Sequence, residues 1–432
     1  MTDVIQKSTT VLASGKPATI LRINAKNFAV QPLFLQRATP FETSTAQRLG
    51  EAMLKSQLTP VVPASMRLAI PETLEIDHVG EVTVFAERAK RAVATAAIAA
   101  APLHLLRLAS ADLPHDALSM NVNYFLFSTE ELAAPWDAYG DPIGLVAHAG
   151  IIETPPQLNR TCLVKDENGY RFDRFAFADC KIELPDGKSV RTHPFGRPDA
   201  EGGDPLAFSL FHGSVGGSSP VEKDCFDVAY LGRYALAGKR GGGMPIPRAG
   251  CVIRFADATH AQDMANAGPL IYRLAGQPIE AVQTGPQIVR EGQGIRRASK
   301  VFQAESMVAH EGLPDICAPS PFGWPADWDE TRAARLAAGL MSDGSLFFCA
   351  VEGTSSLLVD PDQAKGATLH DLSQLMIQLG AKEALHLDGG GSVQVFGTAG
   401  GALITPTDIY HGLIDRPAQY DRPLPLALTL SV

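Results

Sequence analysis

One stretch constrains this chain more than any other: Ala384-Leu385-His386-Leu387-Asp388-Gly389-Gly390-Gly391-Ser392-Val393-Gln394-Val395-Phe396. Apolar and polar residues alternate up to Asp388 and again after Ser392, the pattern of strands or strand ends. Three glycines interrupt the alternation. Each glycine inside regular structure costs about 0.5–1 kcal/mol relative to alanine, so the run costs roughly 2 kcal/mol if it serves no purpose. Glycine also permits positive φ, exposes backbone N–H donors and lets the backbone approach a ligand. A carboxylate at the entrance of such a loop, with a hydroxyl at its exit, suits work beside a phosphate or a sugar. A plain tight turn whose Asp388 caps the next segment is the other reading at this point.

The surrounding chain is long enough to support such a site. Its 432 residues correspond to two or three average domains or one large one. A hydrophobic content of 45% against 19% charged residues allows a substantial core. The formal net charge of −10 argues against nucleic acid as the main partner, while leaving room for a local basic pocket for one phosphate. Residues 1–18 contain Asp3, Lys7 and Lys16 and show no apolar segment of the kind a signal peptide has, so a cytoplasmic location is expected. The longest apolar run, residues 92–101, is too short to span a bilayer, and no membrane partner is expected. Cys162, Cys180, Cys225, Cys251, Cys317 and Cys349 are scattered without a C-x-x-C pair, which points to reduced thiols and away from a zinc site.

Read in order, residues 18–30 alternate as a strand with a turn, residues 45–58 have helical spacing, and residues 79–85 read as a strand. Residues 86–101 fit a buried, Ala-rich helix that Pro102 would stop. Within residues 118–127, Asn121 and Asn123 lie two apart, so a strand would aim both at one face. Buried amides need partners or supply hydrogen bonds to a ligand, and a strand-end turn is the alternative. Residues 144–152 form a short apolar segment around His148, read as a packed or surface histidine. Two hairpins are expected, with turns at Asn168-Gly169 and at Asp186-Gly187. Residues 197–204 and 237–247 read as Gly/Pro-rich loops. Residues 250–255 and 270–274 are strand-like, and residues 281–289 are a strand broken by Gly285-Pro286. Residues 314–328 read as an ordered loop or lid, and residues 346–351 as a buried strand. Residues 368–380 form an amphipathic helix, with Leu369, Leu372, Leu375, Met376 and Leu379 on one face, Thr368 as its cap and Gly380 as its end. The expected class is α+β: mixed, mainly antiparallel sheets with a few packed helices. Residues 1–78 are expected to be an N-terminal elaboration packed on a catalytic domain of residues 79–432.

Several motifs then line up in order with one family. Asn121-Val122-Asn123-Tyr124-Phe125, Ile246-Pro247-Arg248-Ala249-Gly250, Gln283-Thr284-Gly285-Pro286 with Gly292, Arg335-Leu336-Ala337-Ala338-Gly339 with Asp343-Gly344, Val351-Glu352-Gly353, the helix with the Asp388-Gly389-Gly390-Gly391-Ser392 block, and Arg422-Pro423 together resemble the phosphodiester glycosidases. The likeness covers most of the chain from about residue 79. It departs from the family pattern at Val122, Asn123, Leu336, His386, Val393 and Leu426; His386 stands where the family has Asn.

The resemblance implies hydrolysis at an anomeric carbon, which passes through an oxocarbenium-like state usually flanked by two carboxylates. A phosphodiester leaving group is a weak base and hardly needs protonation, so one firm carboxylate with cations and donors for the departing phosphate could suffice. On that reading Asp388 stabilises the sugar cation or activates water. Arg335 pairs with the phosphate through its planar fork. The amides of Gly389, Gly390 and Gly391 and the hydroxyl of Ser392 donate to phosphate or sugar oxygens. Asn121, Asn123 and His386 position the sugar, Glu352 is the candidate second carboxylate, and Gln283, Thr284 and Arg422 join the substrate-binding set. No cofactor is implied. The substrate class is a carbohydrate or sugar phosphate, and homo-oligomerisation stays open. Three alternatives remain: an ordinary glycosidase or transglycosylase, a non-catalytic sugar-phosphate binder, and a phosphodiesterase with a divalent metal at Asp388.

Overall fold

A computed structural model describes residues 4–34, 72–76, 79–86, 116–126, 134–137, 140–157, 159–193, 204–209, 217–295, 330–355, 364–397, 401–407 and 424–431, with a few isolated positions that include Arg422. The helices expected over 45–58 and 86–101 and the loop or lid over 314–328 fall wholly or almost wholly outside them, as do Cys317 and Pro423.

Strand pairing dominates what is described. Two α-helices are present among the described residues, Ala258–Ala267 and Leu369–Gln378, so these residues are mostly antiparallel sheet, richer in β-structure than an even α+β mixture. The physical reason lies partly in residues 234–240. Their glycine-rich flank reads as loop, yet Tyr234–Arg240 pairs along the length of Phe226–Leu231. The turn is confined to Gly241, Gly242 and Gly243, all at positive φ. The helix Ala258–Ala267, absent from the sequence expectations, is capped by Asp257, whose carboxylate accepts from the amides of Thr259 and His260.

The sheet that carries the site has seven strands, in the order Ile5–Val11, Pro17–Asn24, Leu346–Val351, Arg335–Leu340, Glu383–His386, Gln287–Arg290 and Gln293–Gly294. Its described pairings are all antiparallel. The N-terminal residues therefore enter the same sheet as the site strands: Ile20 lies across from Val351, and Ile5 across from Ile23. Side chains alternate between two cores, as pleating requires. Leu336, Ala338, Leu346, Phe348, Ala350 and Leu385 enter one. Ala337, Phe347, Cys349, Val351 and Ala384 enter the other, beneath the helix Leu369–Gln378.

That helix forms where the heptad-like spacing of Leu369, Leu372, Leu375 and Met376 expects it. Thr368 caps it: its hydroxyl accepts from the Asp371 amide at 3.0 Å, and the Asp371 carboxylate accepts from the Thr368 amide at 3.3 Å. Such a reciprocal cap is worth about 1 kcal/mol. Gly380 ends it at φ 96°.

A second sheet lies against the first through the shared core and runs Ala402–Ile404, Val395–Phe396, Leu118–Asn121, Leu426–Ser431, Ala29–Phe34. It brings Asn121 to the end of the 388–392 loop, because Val395 pairs with Met120. The two hairpins expected from sequence both form, one joining Asp166 to Gly169 and the other joining Lys181–Glu183 to Ser189–His193. The interrupted strand also divides as expected, into Glu280–Gln283 and Gln287–Arg290.

Candidate active site

The pairing register delivers Asp388. Ala337 lies opposite His386, and the Leu387 amide donates to the Leu336 carbonyl at 2.9 Å. Continuing that register past the end of the strand sets Asp388 across from Arg335. Arg335, Ala337 and His386 consequently share the helix-side face, with Arg335 diagonal to His386.

Beyond Asp388 the chain turns sharply. Gly390, Gly391 and Ser392 form one 3-10 turn, Gly390 has φ 56°, and its amide donates to the Ala334 carbonyl at 2.8 Å. Gly391 is required for a separate reason: a Cβ there would stand 2.5 Å from Arg422 Nη2 and 2.7 Å from its Cζ. The Arg422 guanidinium thus lies against the bare backbone. Its Nη1 donates to Ser392 Oγ at 3.2 Å, and the Ser392 hydroxyl hydrogen-bonds the Asp388 carboxylate. Arg422, Ser392 and Asp388 form a continuous polar chain.

Burial dominates the electrostatics. It pushes the Asp388 carboxyl up to about 6, against the Ser392 hydrogen bond, the Arg422 charge, the Gly389 amide and the Arg335 charge. A carboxyl in that range is divided between its two forms near neutrality, which suits proton transfer or a switchable charge. His386, fully buried, is pushed well below the ordinary histidine range by burial and by the Arg335 charge, so its ring is neutral. Arg335 is itself 4% exposed and anchored, its Nε donating to the Ala367 carbonyl at 3.1 Å and its Nη2 to the Thr331 carbonyl at 2.7 Å. A Cβ on Gly389 would lie 3.2 Å from His386 Nε2, 3.3 Å from Arg335 Nη1 and 3.4 Å from the Ala334 carbonyl.

The structure therefore brings together Asp388, Gly389, Gly390, Gly391, Ser392, Arg335, His386 and Arg422. Asn121 joins them as a brace: its Nδ2 donates to the Asp388 carbonyl at 2.6 Å and its Oδ1 accepts from the Gln394 amide at 3.0 Å. Both ends of its amide serve backbone, which places it under the loop. Asn123, 3% exposed, donates to the Tyr124 carbonyl at 3.0 Å, and its Oδ1 has no hydrogen-bond partner among the described residues.

Two of the expected substrate ligands have other work. Gln283 is a four-point bracket: Oε1 accepts from the amides of Leu145 at 3.1 Å and Gln157 at 2.6 Å, while Nε2 donates to the carbonyls of Arg160 at 2.9 Å and Phe175 at 2.8 Å. That uses its full bonding capacity inside the fold. Thr284 Oγ1 reaches the carbonyls of His386 at 3.2 Å and Val122 at 3.4 Å, and so supports the site strand from behind. Glu352 continues the sheet, its amide donating to the Thr19 carbonyl at 2.9 Å. Among the described residues no hydrogen bond or ion pair joins its carboxylate to Asp388.

Tyr124 and Gln394 were not singled out from sequence. The Tyr124 hydroxyl donates to the Gly285 carbonyl at 2.6 Å and lies 3.1 Å from His386 Nδ1. Gln394 Nε2 donates to the Arg422 carbonyl at 2.8 Å and so anchors that residue's backbone. Tyr124 lies within residues 121–125 and Gln394 within residues 384–396, but only long-range contacts show what each touches. Among the described residues no group of three or more His, Cys, Asp or Glu side chains is placed to hold a metal ion, and no helix is long and apolar enough to cross a membrane.

Residues 248–430 match the family model of the phosphodiester glycosidases. No curated protein matches the chain. Among solved structures, a hypothetical protein from Synechocystis aligns at 15% identity with a TM-score of 0.44, covering 99% of this chain and 61% of that one. The chain therefore spans less than two thirds of that protein's length. A putative exported protein from Burkholderia pseudomallei aligns at 18% identity and TM-score 0.44, covering 99% and 96%. The zebrafish N-acetylglucosamine-1-phosphodiester α-N-acetylglucosaminidase catalytic domain, auto-inhibited by its pro-peptide, aligns at 13% identity and TM-score 0.37, covering 99% and 81%. The resemblance carried by the ordered motifs is thus matched at the level of the family over residues 248–430, which hold Arg335, His386, the 388–392 loop and Arg422 and are similar to the phosphodiester glycosidases.

Proposed function

We propose that the chain is a glycoside hydrolase that cleaves the anomeric C–O bond of a glycosyl phosphodiester, or of a related sugar with an anionic aglycone. One observation carries the reading: a buried carboxyl, Asp388, held at about 6 between two guanidiniums and a glycine turn. As the carboxylate, Asp388 stabilises positive charge developing at the anomeric carbon or takes a proton from the attacking water. Arg335 and Arg422 supply the positive field for a departing phosphate, and a guanidinium fork suits that group geometrically. The bare backbone of Gly389 and Gly391 lets a ligand or a guanidinium approach closely. Because a phosphate leaves without protonation, the reaction does not call for a second carboxylate at Asp388.

Product analysis tests this. Wild type and Asp388→Asn would be offered α- and β-linked sugar-1-phosphodiesters and simple aryl glycosides. Free sugar plus phosphomonoester from the wild type alone is the expected result. Release from neutral glycosides only would move the function to an ordinary glycosidase, and binding without release would make the chain a sugar-phosphate binder.

A further inference from the structure

Two side-chain amides beside the glycine loop are buried with bonding capacity to spare. Asn123 is 3% exposed and Gln394 is fully buried. The orientation of each amide is fixed, because each gives its NH2 group to a carbonyl, which only accepts. Asn123 Nδ2 donates to the Tyr124 carbonyl at 3.0 Å, and Gln394 Nε2 to the Arg422 carbonyl at 2.8 Å. The atom left over is an oxygen in both. Neither Asn123 Oδ1 nor Gln394 Oε1 has a hydrogen-bond partner among the described residues. Buried polar atoms are nearly always paired, so two such oxygens in one place call for donors from outside the fold.

Strand register puts both on the side that carries the site. Val395 pairs with Met120, and the Asn121 amide donates to the Gln394 carbonyl at 3.1 Å, so Gln394 stands opposite Asn121. Met120, Val122, Val393 and Val395 enter the hydrophobic core. Pleating sends Asn121, Asn123 and Gln394 to the other side. Ser392, two residues from Gln394, bonds the Asp388 carboxylate and receives Arg422 Nη1 at 3.2 Å. From the other strand, the Asp388 amide donates to the Val122 carbonyl at 2.9 Å, which sets Asn123 beside the backbone of Asp388.

An amide oxygen accepts and never donates. A phosphodiester carries no proton either, so these oxygens cannot serve the phosphate, whereas guanidiniums can. Sugar hydroxyls donate, as does the N–H of an acylamino sugar. We propose that Asn123 Oδ1 and Gln394 Oε1 form the glycone subsite, accepting hydrogen bonds from two donors of the sugar while the guanidiniums hold the phosphate. The proposal rests on the reading of Asp388 as the group at the anomeric carbon. It also sets specificity: a sugar without a donor at the matching position leaves a buried oxygen unpaired and is rejected for that reason.

Calorimetric titration of the full chain tests the subsite with two kinds of probe. The α-1-phosphates of glucose, galactose, mannose and N-acetylglucosamine carry both sugar donors and an anion. Inorganic sulfate is an anion without donors. The sugar phosphate that wild type binds most tightly is expected to bind Asn123→Ala about tenfold more weakly, with sulfate affinity within about twofold of wild type. Loss of both affinities together would make Asn123 structural, and loss of neither would assign its oxygen to ordered water; either result overturns the proposal. Monodeoxy derivatives of the same sugar phosphate give a test on the wild type alone. Two deoxy positions, one for each oxygen, are expected to weaken binding about tenfold, and one of those two losses disappears in Asn123→Ala. Equal binding of every derivative, or no sugar phosphate bound, overturns the proposal, and a single sensitive position removes Gln394 from the subsite. Donor-dependent sugar binding by a chain that ignores sulfate and releases no phosphomonoester would remove the phosphodiester reading and uphold the subsite.

Discussion

Asn121 Nδ2 meets the backbone carbonyl of Asp388 at 2.6 Å, across 267 residues of sequence. Through the same side chain Oδ1 takes the Gln394 amide at 3.0 Å. One amide therefore spans the glycine loop from its entrance to its exit. Asn121→Ala would leave a buried carbonyl and a buried N–H without partners, at about 1–3 kcal/mol each. A fall in thermal stability accompanied by reduced turnover is expected. Unchanged stability with lost activity would instead make Asn121 a direct substrate ligand.

Asp388→Asn is expected to lower turnover by about 10²–10⁴-fold, the usual worth of a positioned proton-transfer group. The same change bears on stability. The folded carboxyl is raised from 3.8 to about 6, so between those values the folded state binds more protons than the unfolded chain. Stability contributed by this group is present below pH 3.8 and is lost as pH rises through 6. At pH 7 the ionised carboxylate costs up to about 3 kcal/mol, an upper bound because Asn forfeits part of the hydrogen bonding. Asp388→Asn should therefore unfold no more easily than wild type at pH 7, and thermal scans at pH 5 and 7 check this. If the carboxylate is the working form, kcat/KM rises with pH through an inflection near 6.

Gly391→Ala separates backbone from chemistry. The added methyl would meet Arg422 at 2.5 Å, and a guanidinium can swing away where a backbone atom could not. Stability should change by less than about 1 kcal/mol. Activity should fall by about tenfold or more, because the bond from Arg422 to Ser392 is displaced. Gly389→Ala, with its nearest neighbour at 3.2 Å, is expected to do less. Equal activity loss in the two variants would detach Arg422 from the mechanism.

Gln283→Leu tests the structural bracket. The substitution leaves the amides of Leu145 and Gln157 and the carbonyls of Arg160 and Phe175 without this partner. At about 1 kcal/mol or more each, the loss approaches the whole stability of an ordinary domain. Poor soluble yield is expected, with near-normal activity per folded molecule. A well-folded, inactive variant would return Gln283 to the substrate-binding set.

Much of this protein was settled by sequence alone. Local pattern determined the amphipathic helix with its Thr368 cap, the two hairpins, the strand Leu346–Val351 and the interruption at Gly285-Pro286, because spacing, capping and turn chemistry act over a few residues. Glycine density likewise marked the 388–392 loop as a place where backbone comes close to something. Tertiary structure decided what that something is. Residues 237–240 became strand because Phe226–Leu231 offered a partner to pair with, which outweighed their glycine-rich flank. Arg335, His386 and Asp388 share one side through a strand register that no local pattern specifies. Gln283 and Asn121, two polar side chains that sequence treated as ligands, were committed to backbone by contacts more than 100 residues away. A buried amide satisfied by its own fold and one reserved for a substrate have the same sequence signature, and only the distance to the partner distinguishes them.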